Sequence, residues 1–230
     1  MNMADILAVG AHSDDIEIGM AGSLLNWSGQ GKTIVLCDLT RAERSSNGTP
    51  ENRLLEAEKA AALLSADKRI NLGMPDRNIQ LNEENVNALV SVIRKVKPKA
   101  VFAPYYIDRH PDHGNASKLI KEAVFSAGIR KILPEDAPHK AKLYYYMING
   151  VHKPDFVINI SSQIVRKQEV LMAYKSQFTP LDGVETPLTD QYIESVIARD
   201  KVFGKEAGVS YAEGFISPFP LILNREMLGD

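Results

Sequence analysis

The chain has 230 residues, of which 44% are hydrophobic and 24% charged, a composition typical of a soluble globular protein with one buried core. Its 27 Lys and Arg residues nearly balance its 29 Asp and Glu residues, which gives no electrostatic basis for binding nucleic acid or an anionic membrane. Without an apolar stretch of roughly 18 residues or the basic region of a signal peptide, we expect neither membrane insertion nor export.

The first half of the chain alternates short apolar runs, typical of buried strands, with longer helical segments. The pattern predicts strands over residues 6–10, 33–39, 68–72 and 100–103, and helices over residues 16–28, 51–64, 83–96 and 115–126. The single cysteine, Cys37, lies in the second apolar run, which predicts a buried core thiol. The absence of a second cysteine is compatible with a reducing compartment, and we expect a cytoplasmic protein.

The alternation of strand and helix predicts the fold class: an α/β, Rossmann-like domain with a mostly parallel sheet and helices on both faces. After residue 143 the pattern changes to an α/β elaboration. It predicts strands over 143–148 and 156–160, helices over 161–175 and 191–203, and a loop over 178–189. No linker or repeat interrupts the chain, so we expect a single domain over residues 1–230.

A first polar cluster, Ala11-His12-Ser13-Asp14-Asp15-Ile16-Glu17, follows the first predicted strand. Imidazole and carboxylate groups suit a divalent metal such as zinc, and a metal with an open coordination position activates water. Adjacent Asp14 and Asp15 leave an extended chain in opposite directions, so one can bind the metal while the other accepts a proton. The alternative is a turn at a strand end with solvated acids.

A second cluster, His110-Pro111-Asp112-His113, follows the fourth predicted strand. His110 and His113 are three residues apart and share a face at a helix start, so one can bind metal while the other reaches the substrate. Asp112 can orient a histidine ring, or it can serve only as a helix cap. Because the carboxyl ends of parallel strands meet at one sheet edge, the two clusters together predict a metal-dependent hydrolase.

The two clusters resemble the signatures of the LmbE-like, or PIG-L-type, zinc-dependent N-acetylglucosamine deacetylases. The resemblance extends over nearly the whole chain. Further stretches are similar to the branch that removes acetate from N-acetylglucosaminyl-malate in bacillithiol biosynthesis: residues 37–40, 45–49, 108–115, 145–150 and 174–178. One departure is Ser13, where the family usually has a proline that stiffens the turn by fixing φ.

The resemblance implies one Zn²⁺ per chain held by His12, Asp15 and His113, although other divalent metals suit the same ligands. It also implies Asp14 as general base and a protonated His110, paired with Asp112, beside the developing negative charge. Either Asp14 or His110 can deliver the proton that the leaving amine needs. By analogy with the family we expect a homo-oligomer and a small-molecule glycoside as the only partner class, with no nucleic acid or membrane.

Four further residues are candidates for substrate binding. Arg53 and Arg109 carry guanidinium groups that suit a malyl carboxylate, unless they form surface ion pairs. By resemblance Asp76 binds sugar hydroxyls, with a plain turn as its alternative, and Asn149 either contacts substrate or precedes a turn at Gly150. Two rival functions stay open: deacetylation of another N-acetylglucosamine derivative, and a non-catalytic nucleotide- or sugar-binding module. The first strand is not followed by a glycine-rich nucleotide motif, which argues against the module.

Overall fold

A computed structural model describes residues 3–179 and 184–221. The strands are β1 (Ile6–Gly10), β2 (Ile34–Thr40), β3 (Lys68–Met74), β4 (Ala100–Pro104), β5 (Lys142–Tyr146), β6 (Phe156–Asn159) and β7 (Ala212–Ile216). The helices are α1 (Asp15–Gly29), α2 (Pro50–Leu63), α3 (Glu83–Val96), α4 (Pro111–Ala127), α5 (Ile164–Leu171), α6 (Lys175–Phe178) and α7 (Tyr192–Glu206). None of the described helices is long and apolar enough to span a bilayer.

All seven of these strands form one sheet in the order β3-β2-β1-β4-β5-β7-β6. The first five run parallel, whereas β7 lies antiparallel between β5 and β6. The chain reverses its direction of winding at β1, which has β2 on one side and β4 on the other. The loops that follow these strands meet at their carboxyl ends, where open α/β sheets bind ligands. The predicted α/β fold with a mostly parallel sheet is therefore confirmed.

The sheet separates two apolar layers, as its alternating side chains require. In β1, Leu7 and Val9 pack with α3 and α4, while Ile6 and Ala8 pack with α1, α2 and α5. The strands at the centre are buried on both faces, which explains their continuous apolar sequences. Cys37 is fully buried in the first layer, as predicted.

Close packing fixes helix α1, which carries the first polar cluster, against the sheet. A Cβ at Gly19 would lie 2.1 Å from Cδ2 of Tyr146, so only glycine permits this approach. The buried hydroxyl of Tyr146 donates to the carbonyl of Val9, at 2.8 Å. Strand β5 therefore positions both β1 and the helix that follows it.

The structure differs from the sequence prediction in three places. The helix predicted from residue 115 begins at Pro111, because proline fits the first turn of a helix, so Asp112 and His113 lie in its first turn. The helix predicted over 161–175 is α5 followed by the separate four-residue α6. Strand β7 was not predicted, since its sequence Ala-Glu-Gly-Phe-Ile lacks a continuous apolar run. Of the predicted loop over 178–189, residues 180–183 lie outside the described residues.

Candidate metal centre and active site

Three of the predicted ligands meet between the loops that follow β1 and β4. Oδ2 of Asp15 lies 3.5 Å from Nδ1 of His12, and Oδ1 of Asp15 lies 3.1 Å from Nε2 of His113. The backbone amide of His12 also donates to Oδ2 of Asp15, at 2.8 Å, which closes the turn on itself. All three side chains are buried, with at most 9% of each residue exposed. The Asp15 carboxylate therefore faces one nitrogen of each imidazole.

The second nitrogen of each imidazole faces another carboxylate. Nε2 of His12 lies 3.2 Å from Oδ1 of Asp76 and 3.6 Å from Oδ2 of Asp112. Nδ1 of His113 lies 3.0 Å from Oδ1 of Asp108, although the two atoms are not aligned for a linear hydrogen bond. Carboxylates behind metal-binding histidines fix the ring orientation and tautomer. Sequence reasoning missed Asp108; its only signal was an acid two residues before His110.

The donor set fits a divalent cation. Two groups of side chains, His12 with His110 and His113, and His12 with Asp76 and Asp112, each bring one donor atom per residue to within 4.8 Å of the others. One oxygen of Asp112 is buried with no hydrogen-bond partner in the described part of the chain. Imidazole nitrogens among several carboxylates are the ligands that zinc prefers, and a cation would offset the negative charge gathered here.

The same negative charge acts on the protonation of the imidazoles. Burial disfavours the charged form of His12, but the Asp15 charge and the Asp112 and Asp76 carboxylates outweigh it and hold the pKa of His12 well above its usual range. Burial acts in the same way on His113, yet Asp15 and Asp108 raise its pKa to about 9. Without a metal the site therefore binds protons, which a divalent cation would displace.

Asp14 and Asp15 point to different partners, as expected for neighbouring residues with different roles. Asp14 caps α1 without a side-chain hydrogen bond to the helix, and its Oδ2 lies 3.3 Å from Nη2 of Arg53. Arg53 is only 3% exposed, so it is not a surface arginine. Its Nε and Nη1 are buried with no hydrogen-bond partner among the described residues. Arg53 therefore has free donors while it contacts Asp14.

His110 is the N-cap of α4, and its Nδ1 accepts a hydrogen bond from the backbone amide of Asp112, at 3.3 Å. Burial, together with positive charge on His12 and His113, lowers the pKa of His110. These surroundings favour a neutral ring with its proton on Nε2, in contrast to the protonated His110 that the resemblance implied. The implied pairing with Asp112 is present only through that residue's backbone amide.

The Asp112 carboxylate has other partners. It accepts from the backbone amide of Arg77, at 2.7 Å, and lies beside His12. The carboxylate of Asp76 is similarly engaged, because Oδ1 contacts His12 and Oδ2 accepts from the amide of Arg44, at 2.9 Å. Asp76 lines the cavity, but both oxygens already have protein partners. Its geometry is that of a residue that orients His12, whereas the sequence analysis expected it to bind sugar hydroxyls.

A cavity of about 510 Å³ opens over these residues. Its lining includes members of the two clusters, side chains from the loops after β2, β3, β4 and β5, and side chains from α2, α6 and α7: His12, Asp14, Asp15, Arg44, Asn47, Arg53, Asp76, Arg109, His110, His113, Asn149, Gln177 and Tyr192. A second cavity of about 500 Å³ shares Arg109, Asn149 and Tyr192 with the first. The two adjoining cavities, together the groove, have the candidate metal ligands on the wall of the first.

Arg109 and Asn149 lie where the two cavities meet. Arg109 is exposed. Asn149 donates to Asp108 through its backbone amide, at 3.0 Å, and through Nδ2, at 2.9 Å, while its Oδ1 accepts from the hydroxyl of Tyr192, at 3.0 Å. Asn149 therefore holds Asp108 behind His113, and Arg109 is the more available of the two for a ligand.

Comparison with known proteins adds independent information. The sequence model of the family described as PIG-L, GlcNAc-PI de-N-acetylase, matches residues 7–124. The diacetylchitobiose deacetylase of Thermococcus kodakarensis is 30% identical over 91% of this chain and 81% of its own length. The crystal structure of the conserved protein TT1542 from Thermus thermophilus is 38% identical, with a TM-score of 0.89 over 96% of this chain and 97% of that chain.

The same fold also occurs in an enzyme of different chemistry. The 4-carboxy-2-hydroxymuconate hydratase of Pseudomonas putida has a TM-score of 0.79, with 23% identity over 97% of this chain and all of that chain. The fold by itself therefore does not decide between hydrolysis and hydration, and the side chains of the site must do so.

Proposed function

The chain belongs to the PIG-L family of de-N-acetylases, and from this premise we propose that it hydrolyses the acetamide of an N-acetylglucosaminyl conjugate, with N-acetylglucosaminyl-malate as substrate and zinc as metal. The family and the diacetylchitobiose deacetylase support a deacetylase of N-acetylated sugars. One observation carries the proposal: Asp14, a carboxylate that contacts Arg53, lines the same cavity as the paired His12 and His113.

In this proposal His12, Asp15 and His113 hold the metal. Zinc, when bound, supplies a Lewis acid that polarises the amide carbonyl and favours ionisation of water. Asp76, Asp112 and Asp108 lie behind the imidazoles and fix their orientation, at the distances given above. The burial of this set excludes bulk water and strengthens each electrostatic contact.

The remaining residues move protons. Asp14 accepts a proton from the attacking water, whose oxygen bonds to the carbonyl carbon. Nε2–H of His110 donates a hydrogen bond to the carbonyl oxygen as negative charge develops there. The C–N bond breaks when the nitrogen receives the proton that Asp14 took from the water, which leaves acetate and the free amine. Arg53, at 3.3 Å, holds the Asp14 carboxylate in place.

The groove supports a substrate larger than a single sugar. One cavity of about 510 Å³ contains the candidate catalytic groups, and the adjoining one of about 500 Å³ is free to take the group attached to the sugar. Arg109 lies at the junction, where its guanidinium suits a malyl carboxylate. Arg53, which lines the first cavity, is proposed as a second anion contact. The diacetylchitobiose deacetylase favours a second candidate, in which a neutral sugar ring occupies the adjoining cavity.

A substrate panel tests the proposal. The zinc-loaded protein is assayed for acetate release from N-acetylglucosaminyl-malate, diacetylchitobiose and N-acetylglucosamine, with bound metal measured on the same sample. We expect kcat/KM for the malyl glycoside to exceed the others by at least about tenfold, the value of one lost charged contact. Equal values would remove the malate assignment. Metal binding without acetate release from any of the three would remove the deacetylase assignment, and nucleotide binding in its place would favour the non-catalytic module.

The proposal extends to assembly and location. By family analogy the protein is a homo-oligomer, and its single cysteine is compatible with the cytoplasm as its location. Light scattering on the purified protein and fractionation of the source cells test these two points. A monomer, or a protein found outside the cytoplasm, would contradict them without affecting the chemistry.

A further inference from the structure

Arg69, on strand β3, lies behind the turn that carries the first polar cluster, and its guanidinium uses all five of its N–H groups. Nε and Nη2 bind the two oxygens of Asp38, at 2.7 and 2.8 Å. Nη1 binds Oε1 of Glu17, at 2.6 Å, and the carbonyl of Ala57, at 3.3 Å. The fifth bond runs from Nη2 to the carbonyl of Ser13, at 3.1 Å.

These bonds join separate elements around one buried charge. Asp38 belongs to β2, Glu17 to α1 and Ala57 to α2, and the side chains of Asp38 and Glu17 are at most 3% exposed. The hydroxyl of Tyr174 donates to the same oxygen of Glu17, at 2.9 Å. A lysine would supply charge to the two acids, but it lacks the planar fork that reaches Asp38, Glu17 and the Ser13 carbonyl together.

The Ser13 carbonyl belongs to the peptide bond between Ser13 and Asp14, in the turn that separates His12 from Asp15. Serine leaves φ at this position free, where proline would fix it. The backbone amide of Asp14, at the other end of the same peptide, donates no hydrogen bond within the described residues, so the bond from Arg69 is a specific restraint on this peptide.

We propose that Arg69 is a positioning residue: through the Ser13 carbonyl it fixes the relative placement of His12 and Asp15 and thereby sets metal affinity. The inference rests on the proposed function only for the identity of the ligands. Arg69 lies outside the residues that line the cavity, so it acts through the turn and not on the substrate.

The chain offers a matched control. Arg94, on α3, is a second arginine with low exposure, 2%, and it donates to five backbone carbonyls between residues 127 and 136, none of which lines the cavity. Replacing Arg94 removes a comparable set of buried hydrogen bonds without affecting the turn. Loss of stability alone is therefore separated from loss of positioning.

The experiment compares Arg69→Met, Arg69→Lys and Arg94→Met. Zinc Kd, the visible spectrum of the cobalt-substituted protein, Tm, kcat and KM are measured for each. We expect both Arg69 variants to weaken zinc binding by about 10–100-fold, the usual cost of removing an outer partner of a metal ligand, and to change the cobalt spectrum. KM should stay within about threefold. Arg94→Met should lower Tm while zinc Kd stays within about twofold.

A second substitution completes the test. Adding Ser13→Pro to the Arg69→Lys variant restores rigidity to the turn without the arginine, and we expect it to recover at least about tenfold in zinc affinity. Arg69→Lys keeps a charge near Asp38 and Glu17, so it decides the matter if Arg69→Met does not fold. Zinc affinity in Arg69→Lys equal to that of the unaltered protein would overturn the inference. If the unaltered protein binds zinc but releases no acetate, the proposed function is contradicted while the inference about Arg69 stands.

Discussion

Nη2 of Arg53 lies 3.3 Å from Oδ2 of Asp14, while Asp15, the next residue, faces both imidazoles. The adjacent carboxylates therefore belong to two separate sets of contacts. Asp15 faces the two imidazoles proposed as metal ligands, and Asp14 faces a guanidinium whose Nε and Nη1 are buried with no hydrogen-bond partner in the described part of the chain. This division leads to different expectations for the two acids.

Asp14→Asn should retain zinc and lose turnover. The amide keeps the shape of the side chain but cannot accept the proton of water, which costs on the order of 10²–10⁴-fold in kcat. Metal content by mass spectrometry and acetate release on the same sample check this. Loss of the metal from Asp14→Asn would reverse the roles assigned to Asp14 and Asp15.

His113→Ala and His110→Ala should behave differently. His113 faces Asp15, at 3.1 Å, and its removal should eliminate stoichiometric zinc binding together with activity. His110 caps α4 and presents Nε2 to the cavity, so His110→Ala should keep zinc and reduce kcat by about 10²-fold or more. Equilibrium dialysis separates the two. Loss of zinc from His110→Ala would place this ring among the ligands.

The stability of the metal-free protein should depend on pH in the range where His113 titrates. Its pKa is raised from 6.5 to about 9 in the folded state, so protonation stabilises the fold fully below about pH 6.5, and this contribution is lost as the pH rises through 9. We expect the Tm measured with chelator to fall over this interval, and the increase in Tm on adding zinc to grow. In His113→Ala the fall of Tm with pH should be smaller. A wild-type Tm that does not change with pH would contradict the raised pKa of His113.

Arg109→Gln should act on substrate choice and leave the chemistry unaltered. Because Arg109 lies between the two cavities, loss of its charge should raise KM for the malyl glycoside by about tenfold or more, while N-acetylglucosamine turnover stays unchanged. Arg130→Gln, at an exposed position outside both cavities, is the matched control. An equal loss of kcat/KM with both substrates would place Arg109 in the catalytic step instead.

Gly48→Ala, in the loop between β2 and α2, should destabilise the protein more than Gly208→Ala, although the two glycines have the same backbone conformation. Gly48 has a φ of +77° and its Cβ would lie 2.8 Å from Cβ of Ser176, whereas Gly208 has a φ of +76° and open space around it. Backbone strain costs about 1–3 kcal/mol at each, and only Gly48→Ala adds a collision. Urea unfolding of both variants checks this. Equal losses in the free energy of unfolding would show that α6 moves to accommodate the added methyl group.

Much of the site could be predicted because its chemistry is local in sequence. His12, Asp14 and Asp15 follow one strand and His110 and His113 follow another, and parallel strands place such loops at one edge. The bonds behind the site could not be predicted in this way. Asp108 contacts Asn149 and Arg69 contacts Ser13, pairs separated by 41 and 56 residues, and no local pattern specifies such contacts.

The C-terminal region was harder to predict for a related reason. Strand β7 contains Glu213, a fully buried acid that pairs with Lys167 at 2.7 Å and accepts from the backbone amides of Gly22 and Ser23 in α1. A charged residue in a short strand resembles a surface turn until its partners are known. The sequence signal for a strand depends on apolar alternation, which such a buried ion pair interrupts.

The pairing of β1 with β4 also constrains when the protein can acquire its metal. His12 and His113 are separated by about a hundred residues and become neighbours only after the fourth strand has joined the sheet. A nascent chain on the ribosome consequently lacks the proposed set of ligands until about half of the polypeptide has been synthesised. Loading is thus coupled to folding of the central sheet, and the cation stabilises the assembled sheet in preference to any shorter intermediate.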